Sequence, residues 1–159
     1  MSTENPAPSS SSQLRIALLG SGIFATTSHA PVLKKHPSVF LTQAVWSRRP
    51  ESSQKLAESL NAQSYSGEEG LQQVLQRDDI DAVILALPLD VQPDYVRKAL
   101  QSGKHVLSEK PVAATVSEAK ALIKDYRALD QQPQWSVAEN FRYEPGILRA
   151  ADAVKNSIG

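Results

Sequence analysis

The stretch that decides the fold is Leu14–Ala25, which reads LRIALLGSGIFA. Its first half is a short, nearly continuous apolar run, which is typical of a strand buried on both faces of a sheet. Its second half, Gly20–Ala25, has the pattern G-x-G-x-x-A, and we expect a helix to follow it as far as about Lys35. A strand, a glycine turn and a helix in this order are the context that a dinucleotide-binding motif requires.

Apolar runs and helical patterns alternate along the rest of the chain. This alternation predicts parallel strands joined by right-handed crossovers, and therefore an α/β fold with a doubly wound, Rossmann-like parallel sheet in a single domain. Ligands of such sheets bind beyond the carboxyl ends of the strands, so the residues after each strand are the functional candidates. The predicted strands are 14–19, 40–46, 63–65, 80–87, 105–108 and 134–138, and the later predicted helices are 50–60, 67–76, 91–102, 116–129 and 144–156.

The composition excludes several classes of function. The 159 residues include 17 basic and 17 acidic side chains, so the chain has no overall charge with which to attract nucleic acid or an anionic membrane. The absence of cysteine excludes disulfides, thiolate metal sites and cysteine nucleophiles. No other ligand spacing predicts a metal site.

The sequence carries no sign of export or membrane insertion. It has neither a secretory signal nor an apolar run near the ~18 residues of a membrane span, so we expect a cytoplasmic protein. The Ser/Pro-rich segment 1–12 is predicted to be a disordered tail. Such a composition cannot bury enough apolar area to offset the entropy of ordering.

Each small residue of the glycine motif has a physical role in dinucleotide binding. Gly20 permits a tight turn, Gly22 lets a pyrophosphate approach the backbone, and Ala25 allows close packing of helix on strand. The start of the helix adds free N–H groups and a partial positive charge. A plain turn without a ligand is the alternative. The predicted cofactor contacts here are Gly20, Ser21, Gly22, Ile23, Phe24 and Ala25.

The end of the second strand predicts which dinucleotide is bound. NAD-binding sheets carry a carboxylate about 20 residues beyond the glycines, where it holds the ribose diol. Here the segment reads Trp46-Ser47-Arg48-Arg49-Pro50, without an acid. Ser47 can donate to a 2′-phosphate, and Arg48 and Arg49 can pair with its charge. The pattern therefore favours NADP over NAD, with two solvated arginines at a strand end as the alternative.

A lysine follows the fifth strand, in the segment Ser108-Glu109-Lys110-Pro111. At the carboxyl end of a strand, facing a nicotinamide, Lys110 could hydrogen-bond a substrate hydroxyl or transfer its proton. Pro111 lacks an N–H group and stiffens the turn. A lysine by itself is more often a solvated charge, so Lys110 gains meaning only from its surroundings.

Three segments together resemble the N-terminal NAD(P)-binding domain of the Gfo/Idh/MocA family of oxidoreductases. They are GKHVLSEKP at 103–111, which contains the family's Glu-Lys-Pro signature, the glycine motif at 20–25, and AENFRYEP at 138–145. They occur in the family's order and spacing, and the resemblance covers about residues 13–159. The combination is much more specific than any one of the motifs.

The resemblance implies a two-domain NAD(P)-dependent oxidoreductase that acts on a small molecule: a sugar, a polyol, an inositol or a related diol. Lys110 matches the family's lysine, which would contact the reacting hydroxyl, and is the predicted catalytic residue. Glu109 would lie near the nicotinamide end of the cofactor. Asn140 and Arg142 match the segment that lines the junction between cofactor and substrate.

The segment after the fourth strand departs from the family pattern. The family often has Thr-Pro-Asn-x-x-His there, whereas this chain has Leu87-Pro88-Leu89, with Gln92 in place of the histidine. Leu87 and Pro88 are still predicted to contact the cofactor. Leu89 can form a wall of the cleft but donates nothing to it.

The family's second domain carries the substrate pocket, the usual dimer face and a histidine that partners the lysine. Residues 13–142 are predicted to be the dinucleotide-binding domain, and 143–159 a connecting helix toward the missing domain, without which we expect no oligomer. The chain's own histidines are His29, His36 and His105. We interpret them as structural or solvent-facing, because none follows a strand toward the ligand edge.

Two alternatives to a working enzyme stay open. Some relatives of this fold, including a fungal repressor of galactose genes, resemble the enzymes but act by binding a transcription factor, although the retained Lys110 favours an enzyme. The other alternative is an inactive product of truncation, an alternative transcript or a gene-model error. In that case the last helix would expose an apolar strip formed by Ile147, Leu148, Ala151 and Val154.

Overall fold

The computed structural model describes residues 13–158, so the predicted tail at 1–12 lies outside the described residues. Within that range the chain forms a six-stranded parallel sheet with helices on both faces, which confirms the predicted doubly wound fold. The strands are β1 (Leu14–Leu19), β2 (Phe40–Ser47), β3 (Gln63–Ser66), β4 (Ala82–Leu85), β5 (His105–Ser108) and β6 (Trp135–Val137). The α-helices are α1 (Ala30–Lys35), α2 (Pro50–Leu60), α3 (Gly67–Gln76), α4 (Gln92–Gln101), α5 (Val116–Arg127) and α6 (Pro145–Ala153).

The strand order locates the ligand edge of the sheet. The strands lie in the order β3-β2-β1-β4-β5-β6, so the chain winds outward from β1 to β3 and then crosses to β4 on the other side of β1. The direction of winding therefore reverses between β1 and β4, which pair directly, as Leu18 does with Ile84. A crevice forms beyond the carboxyl ends of the strands at such a switch point, and the glycine turn after β1 opens into it.

Two hydrophobic cores lie on opposite faces of the sheet. Alternate residues of β1 point to the two faces. Ala17 and Leu19 belong to the core covered by α3, α4 and α5, while Ile16 and Leu18 belong to the core covered by α1 and α2. Burial on both faces explains the continuous apolar run of β1. The buried strand in turn fixes the position of the glycine turn that follows it.

Strand β4 is shorter than predicted at both ends. The prediction of 80–87 followed the apolar run, whereas the strand is confined to Ala82–Leu85. Before the strand, the carboxylate of Asp81 binds Arg15, whose Nε donates to Asp81 Oδ2 over 3.0 Å. After it, Leu87 leaves the sheet and lines a cavity. The apolar run thus extends beyond the strand that it contains.

The helix after the glycine turn ends at Lys35, as predicted, but it is not a regular α-helix throughout. Ala25–His29 form a π-helical turn before α1, in which the N–H of Ala30 donates to the carbonyl of Ala25. Pro31 explains this wider turn, because proline has no N–H to donate to Thr27 and its ring clashes with the carbonyl four residues before it. Single π turns of this kind are frequent at functional sites.

The last helical segment leaves its apolar strip uncovered. Ile147, Leu148 and Val154 are each more than half exposed, and Ala151 is exposed as well. The strip that the sequence predicts is therefore present on the surface. None of the helices within residues 13–158 is both long and apolar enough to cross a membrane.

Candidate cofactor site

A cavity of about 560 Å³ opens at the carboxyl ends of β1, β2 and β4. This is where the switch point is expected to place a ligand. Eight of the residues predicted to contact the cofactor line the cavity, and they come from three separate turns. The lining residues are Gly20, Ser21, Gly22, Ser47, Arg48, Arg49, Ser52, Ala86, Leu87 and Pro88.

Gly20 makes the tight turn that the motif requires. Its φ is +117°, a conformation that L side chains rarely adopt, and a Cβ built on it would lie 2.3 Å from the carbonyl oxygen of Ala86. Its N–H donates to the carbonyl of Trp46 over 2.8 Å. Only glycine fits this position without a shift of the backbone, so the predicted conformational role of Gly20 is confirmed.

Gly22, in contrast, faces open space. A Cβ built there would meet no atom within 4 Å, so the missing side chain leaves the backbone of the turn accessible. A pyrophosphate can approach the backbone only where a side chain leaves such space. Ala25 is fully buried, as close packing of helix on strand requires. Ile23 and Phe24 are 84% and 51% exposed, and neither lines the cavity.

The turn after β2 brings positive charge to the cavity. All three residues of the turn line it: Arg48 and Arg49 are exposed, and Ser47 is largely buried. The hydroxyl of Ser47 donates to the carbonyl oxygen of Arg49 over 2.6 Å and so closes the turn. Ser52, in the first turn of α2, lines the same cavity and was not predicted from the sequence. Among the described residues that line the cavity, none is acidic.

The turn that carries Lys110 follows β5, next to β4 in the sheet. Ser108 is fully buried, and the N–H of Glu109 donates to the carbonyl of Leu85 over 3.1 Å. Lys110 itself is exposed, and its peptide bond to Pro111 is cis. The turn is therefore fixed at the ligand edge of the sheet, although neither Glu109 nor Lys110 lines the cavity at the glycine turn.

Gln92 holds this turn from the start of α4. Its side chain is buried, and its Nε2 donates to the carbonyl oxygens of Glu109 (2.8 Å) and Pro111 (3.0 Å). Its Oε1 is buried without a hydrogen-bond partner in the described part of the chain. Gln92, which stands where the family often has a histidine, therefore contacts the Glu-Lys-Pro turn. The sequence alone does not reveal this contact.

His29 also reaches this turn, through a structural contact that the sequence interpretation did not identify. Its Nε2 lies 2.8 Å from Oε1 of Glu109, and both side chains are 14% exposed. The interpretation considered only residues that follow strands, and so it overlooked the helix.

Asn140 and Arg142 lie in a short 3-10 helix, Asn140–Tyr143, that follows β6. Since β6 pairs with β5, they are at the ligand edge, but both are exposed and neither lines the cavity. Their place at the junction between cofactor and substrate stays a prediction.

The other two histidines fit their structural interpretation. His105 Nδ1 accepts a hydrogen bond from the N–H of Gln134 over 2.8 Å, and His36 is exposed at the end of α1. Across residues 13–158, no three His, Asp or Glu side chains cluster as the ligands of a metal ion would.

The sequence matches known oxidoreductases over most of its length. Residues 14–135 match the Gfo/Idh/MocA model, described as an oxidoreductase family with an NAD-binding Rossmann fold. Dehydrogenase FPY6 from Fusarium mangiferae is 40% identical over 152 residues, which cover 91% of this chain and 43% of the relative. The dTDP-3,4-didehydro-2,6-dideoxy-alpha-D-glucose 3-reductase from Streptomyces antibioticus is 37% identical over 131 residues, which cover 82% of this chain and 38% of the relative.

A solved structure shares the fold. The 3-ketoreductase KijD10 from Actinomadura kijaniata, in complex with NADP and TDP-benzene, superimposes with a TM-score of 0.81 at 26% sequence identity. The match covers 92% of this chain and 43% of the ketoreductase. The chain thus spans only about two fifths of the length of the relatives that it matches, at 43% and 38% of the two curated proteins.

Proposed function

Because this chain belongs to the Gfo/Idh/MocA family of oxidoreductases, we propose that it is the cofactor-binding part of an NADP-dependent oxidoreductase. The observation that carries the proposal is the single cavity shared by the glycine turn and the Ser47–Arg49 turn. The glycine turn fits a pyrophosphate, and two arginines in a cavity lining that contains no acid fit a 2′-phosphate. NADP carries both groups, whereas NAD carries only the first.

Each turn at the cavity has a part in binding. Gly22 leaves the backbone open, so the N–H groups at the start of the helix can donate to the pyrophosphate. Arg48 and Arg49 balance the charge of the 2′-phosphate, which an acid in their place would repel. Leu87 and Pro88 form an apolar wall of the cavity. The nicotinamide supplies or accepts a hydride when the cofactor is bound.

We place Lys110 at the reacting group of the substrate. It is exposed after β5, on the same edge of the sheet as the cavity. There its ammonium group can donate to a hydroxyl or carbonyl oxygen and hold the proton that accompanies the hydride. Glu109, Asn140 and Arg142 are proposed to lie around the junction between cofactor and substrate, where the family pattern puts them.

The proposed substrate is a sugar, a polyol or a related hydroxyl or carbonyl compound. The relative from Streptomyces antibioticus is named as a reductase of a dTDP-linked sugar, and the Actinomadura protein as a 3-ketoreductase. Residues 13–142 are proposed to form the dinucleotide-binding domain, and 143–159 to lead toward a substrate-binding domain. The uncovered apolar strip of the last helical segment supports this division, because exposed apolar patches mark interaction surfaces.

Calorimetric titration with NADP and, separately, with NAD tests the cofactor assignment. We expect NADP to bind at least about tenfold more tightly, the effect of about 1.4 kcal/mol from charge-assisted contacts to the extra phosphate. The double variant Arg48→Ala/Arg49→Ala should lose this preference and keep its binding of NAD. Tighter binding of NAD by the parent chain, or binding of neither cofactor, would overturn the assignment.

A second measurement separates an enzyme from a nucleotide-binding regulator. Oxidation of NADPH is followed in the presence of keto sugars, for a protein that joins this chain to the proposed substrate-binding domain and for its Lys110→Met variant. An enzyme consumes NADPH, and the variant loses this activity while it still binds NADP. A regulator binds NADP without turnover in either form.

A further inference from the structure

Ser47 lines the cavity, but its hydroxyl proton is already used within the turn. The hydroxyl donates its one proton to the carbonyl oxygen of Arg49 over 2.6 Å, and the residue is 7% exposed. A 2′-phosphate near neutral pH offers mainly acceptors, since the second pKa of a phosphate ester is about 6. Ser47 would have to break the bond that closes the Arg48–Arg49 turn before it could donate to this group.

Ser52 offers a hydroxyl at the same cavity with its proton available. It lies in the first turn of α2, which begins at Pro50, and it lines the cavity together with Arg48 and Arg49. Its neighbour Ser53 is fully buried and donates to the carbonyl oxygen of Pro50 over 3.0 Å. Within residues 13–158, no side-chain hydrogen bond engages the hydroxyl of Ser52.

The start of α2 favours an anion beside this hydroxyl. Arg49 precedes the helix in an extended conformation, and its side chain does not cap the first turn. The N–H groups of a first turn have no partner within the helix, and their partial positive charge adds to that of the arginines. Glu51 is the acid of this turn, but it does not line the cavity. Donors and positive charge therefore meet at Ser52.

The structure assigns to Ser52, together with Arg48 and Arg49, the binding of the 2′-phosphate of NADP, and it leaves Ser47 to shape the turn. The assignment rests on the proposed cofactor site and adds a residue that sets the choice between NADP and NAD. A hydroxyl that donates to the phosphate stabilises bound NADP and has no such partner in NAD. Ser52 therefore acts on discrimination between the two cofactors more than on dinucleotide binding as such.

Calorimetry with two small probes tests the assignment: 2′,5′-ADP, which carries the 2′-phosphate, and 5′-AMP, which does not. Ser52→Ala should weaken the binding of 2′,5′-ADP about tenfold and that of 5′-AMP by less than about twofold, as the loss of one hydrogen bond to a charged group predicts. Ser47→Ala should change the ratio of the two affinities less than Ser52→Ala does. Ser59→Ala, exposed near the other end of α2, is the matched control and should leave both affinities unchanged.

Ser52→Asp separates the binding effect from folding. An acid in the first turn of a helix is stabilising, so thermal unfolding of this variant should match or exceed that of the parent. Its charge repels the phosphate, so NADP binding should fall more than about thirtyfold while NAD binding is retained. A loss of NADP affinity without a loss of thermal stability supports a contact between residue 52 and the phosphate.

The outcomes distinguish this assignment from the proposed function. A parent chain that binds 2′,5′-ADP, with an unchanged ratio of affinities in Ser52→Ala, overturns the role of Ser52 alone. The same conclusion follows if Ser47→Ala causes the larger loss. A parent chain that binds neither the probes nor NADP overturns both the assignment and the proposed function.

Discussion

His29 Nε2 lies 2.8 Å from Glu109 Oε1, and this contact joins the helix after the glycine turn to the turn that carries Lys110. The Oε2 of the same carboxylate accepts a hydrogen bond from the N–H of Lys110 over 3.3 Å. One side chain therefore links the proposed cofactor turn to the proposed catalytic turn. Because Gln92 binds the same turn from α4, the position of Lys110 depends on contacts from two helices.

Replacement of His29 by leucine should loosen the Lys110 turn. The largely buried carboxylate of Glu109 would lose its partner, which should lower the free energy of unfolding by about 1–3 kcal/mol. His29→Gln keeps a donor and should recover part of this loss. Denaturant unfolding measures the stability, and faster amide hydrogen exchange at 108–112 would show that the turn has become mobile. Unchanged amide exchange at 108–112 in His29→Leu would contradict the proposal that the His29–Glu109 contact holds the turn in place.

Replacement of Gln92 by leucine should destabilise the protein by about 1–3 kcal/mol, because the carbonyls of Glu109 and Pro111 lose a buried donor. Gln92→Glu should cost more, since it places a carboxylate among acceptors. Gln101→Leu, at the exposed end of the same helix, is the matched control and should change the free energy of unfolding by less than about 0.5 kcal/mol. Equal stability of Gln92→Leu and this control would contradict the prediction. It would mean that burying Oε1 without a partner destabilises the protein by as much as the two hydrogen bonds stabilise it.

The Arg15–Asp81 pair, at the opposite edge of the sheet, should make stability depend on acid pH. Hydrogen bonds from Arg15 lower the pKa of Asp81 to about 2, from an ordinary value of 3.8. With the folded-state pKa lowered, the stabilisation is present above about pH 4 and is lost as the pH falls toward 2. Asp81→Asn should therefore be less stable than the parent at neutral pH, and the difference in free energy of unfolding should shrink below pH 4. Asp130→Asn, in an exposed turn, should show no such trend.

Elements bounded by strong local signals could be predicted from the sequence. Strand β1 ends where Gly20 stops its apolar run, and α2 and α3 begin at Pro50 and Gly67 as predicted. The alternation of strands and helices fixes which ends of the strands share an edge. For this reason the cavity lined by Gly20 and Arg48 was also expected.

The features that the sequence did not reveal depend on contacts between distant segments. The pairing of His29 with Glu109 spans 80 positions, and His29 is the last residue of a π turn that no short spacing predicts. Gln92 stands where the family pattern often has a histidine, so a comparison of motifs suggests that a functional side chain is missing. The structure shows instead that Gln92 donates two hydrogen bonds to the Lys110 turn. Ser52 belongs to no motif and reaches the cavity because α2 begins directly after the arginine turn.

The two glycines of the turn should separate folding from cofactor binding. Gly20→Ala places a Cβ 2.3 Å from the carbonyl oxygen of Ala86 at a φ of +117°, and we expect it to lower the free energy of unfolding by roughly 2–4 kcal/mol. Gly22→Ala meets no atom within 4 Å, so its effect on stability should stay below about 1 kcal/mol. Its methyl group would nevertheless stand where the pyrophosphate approaches the backbone, and NADP affinity should fall about tenfold or more.

Thermal unfolding and calorimetry on the same samples check both halves of this prediction. A folded Gly22→Ala that binds NADP as tightly as the parent would mean that the pyrophosphate does not lie on the backbone of this turn. A Gly20→Ala with parental stability would mean that the backbone at Ala86 yields without cost. The expected pattern, stability lost at Gly20 and affinity lost at Gly22, follows only if one glycine serves the turn and the other serves the ligand.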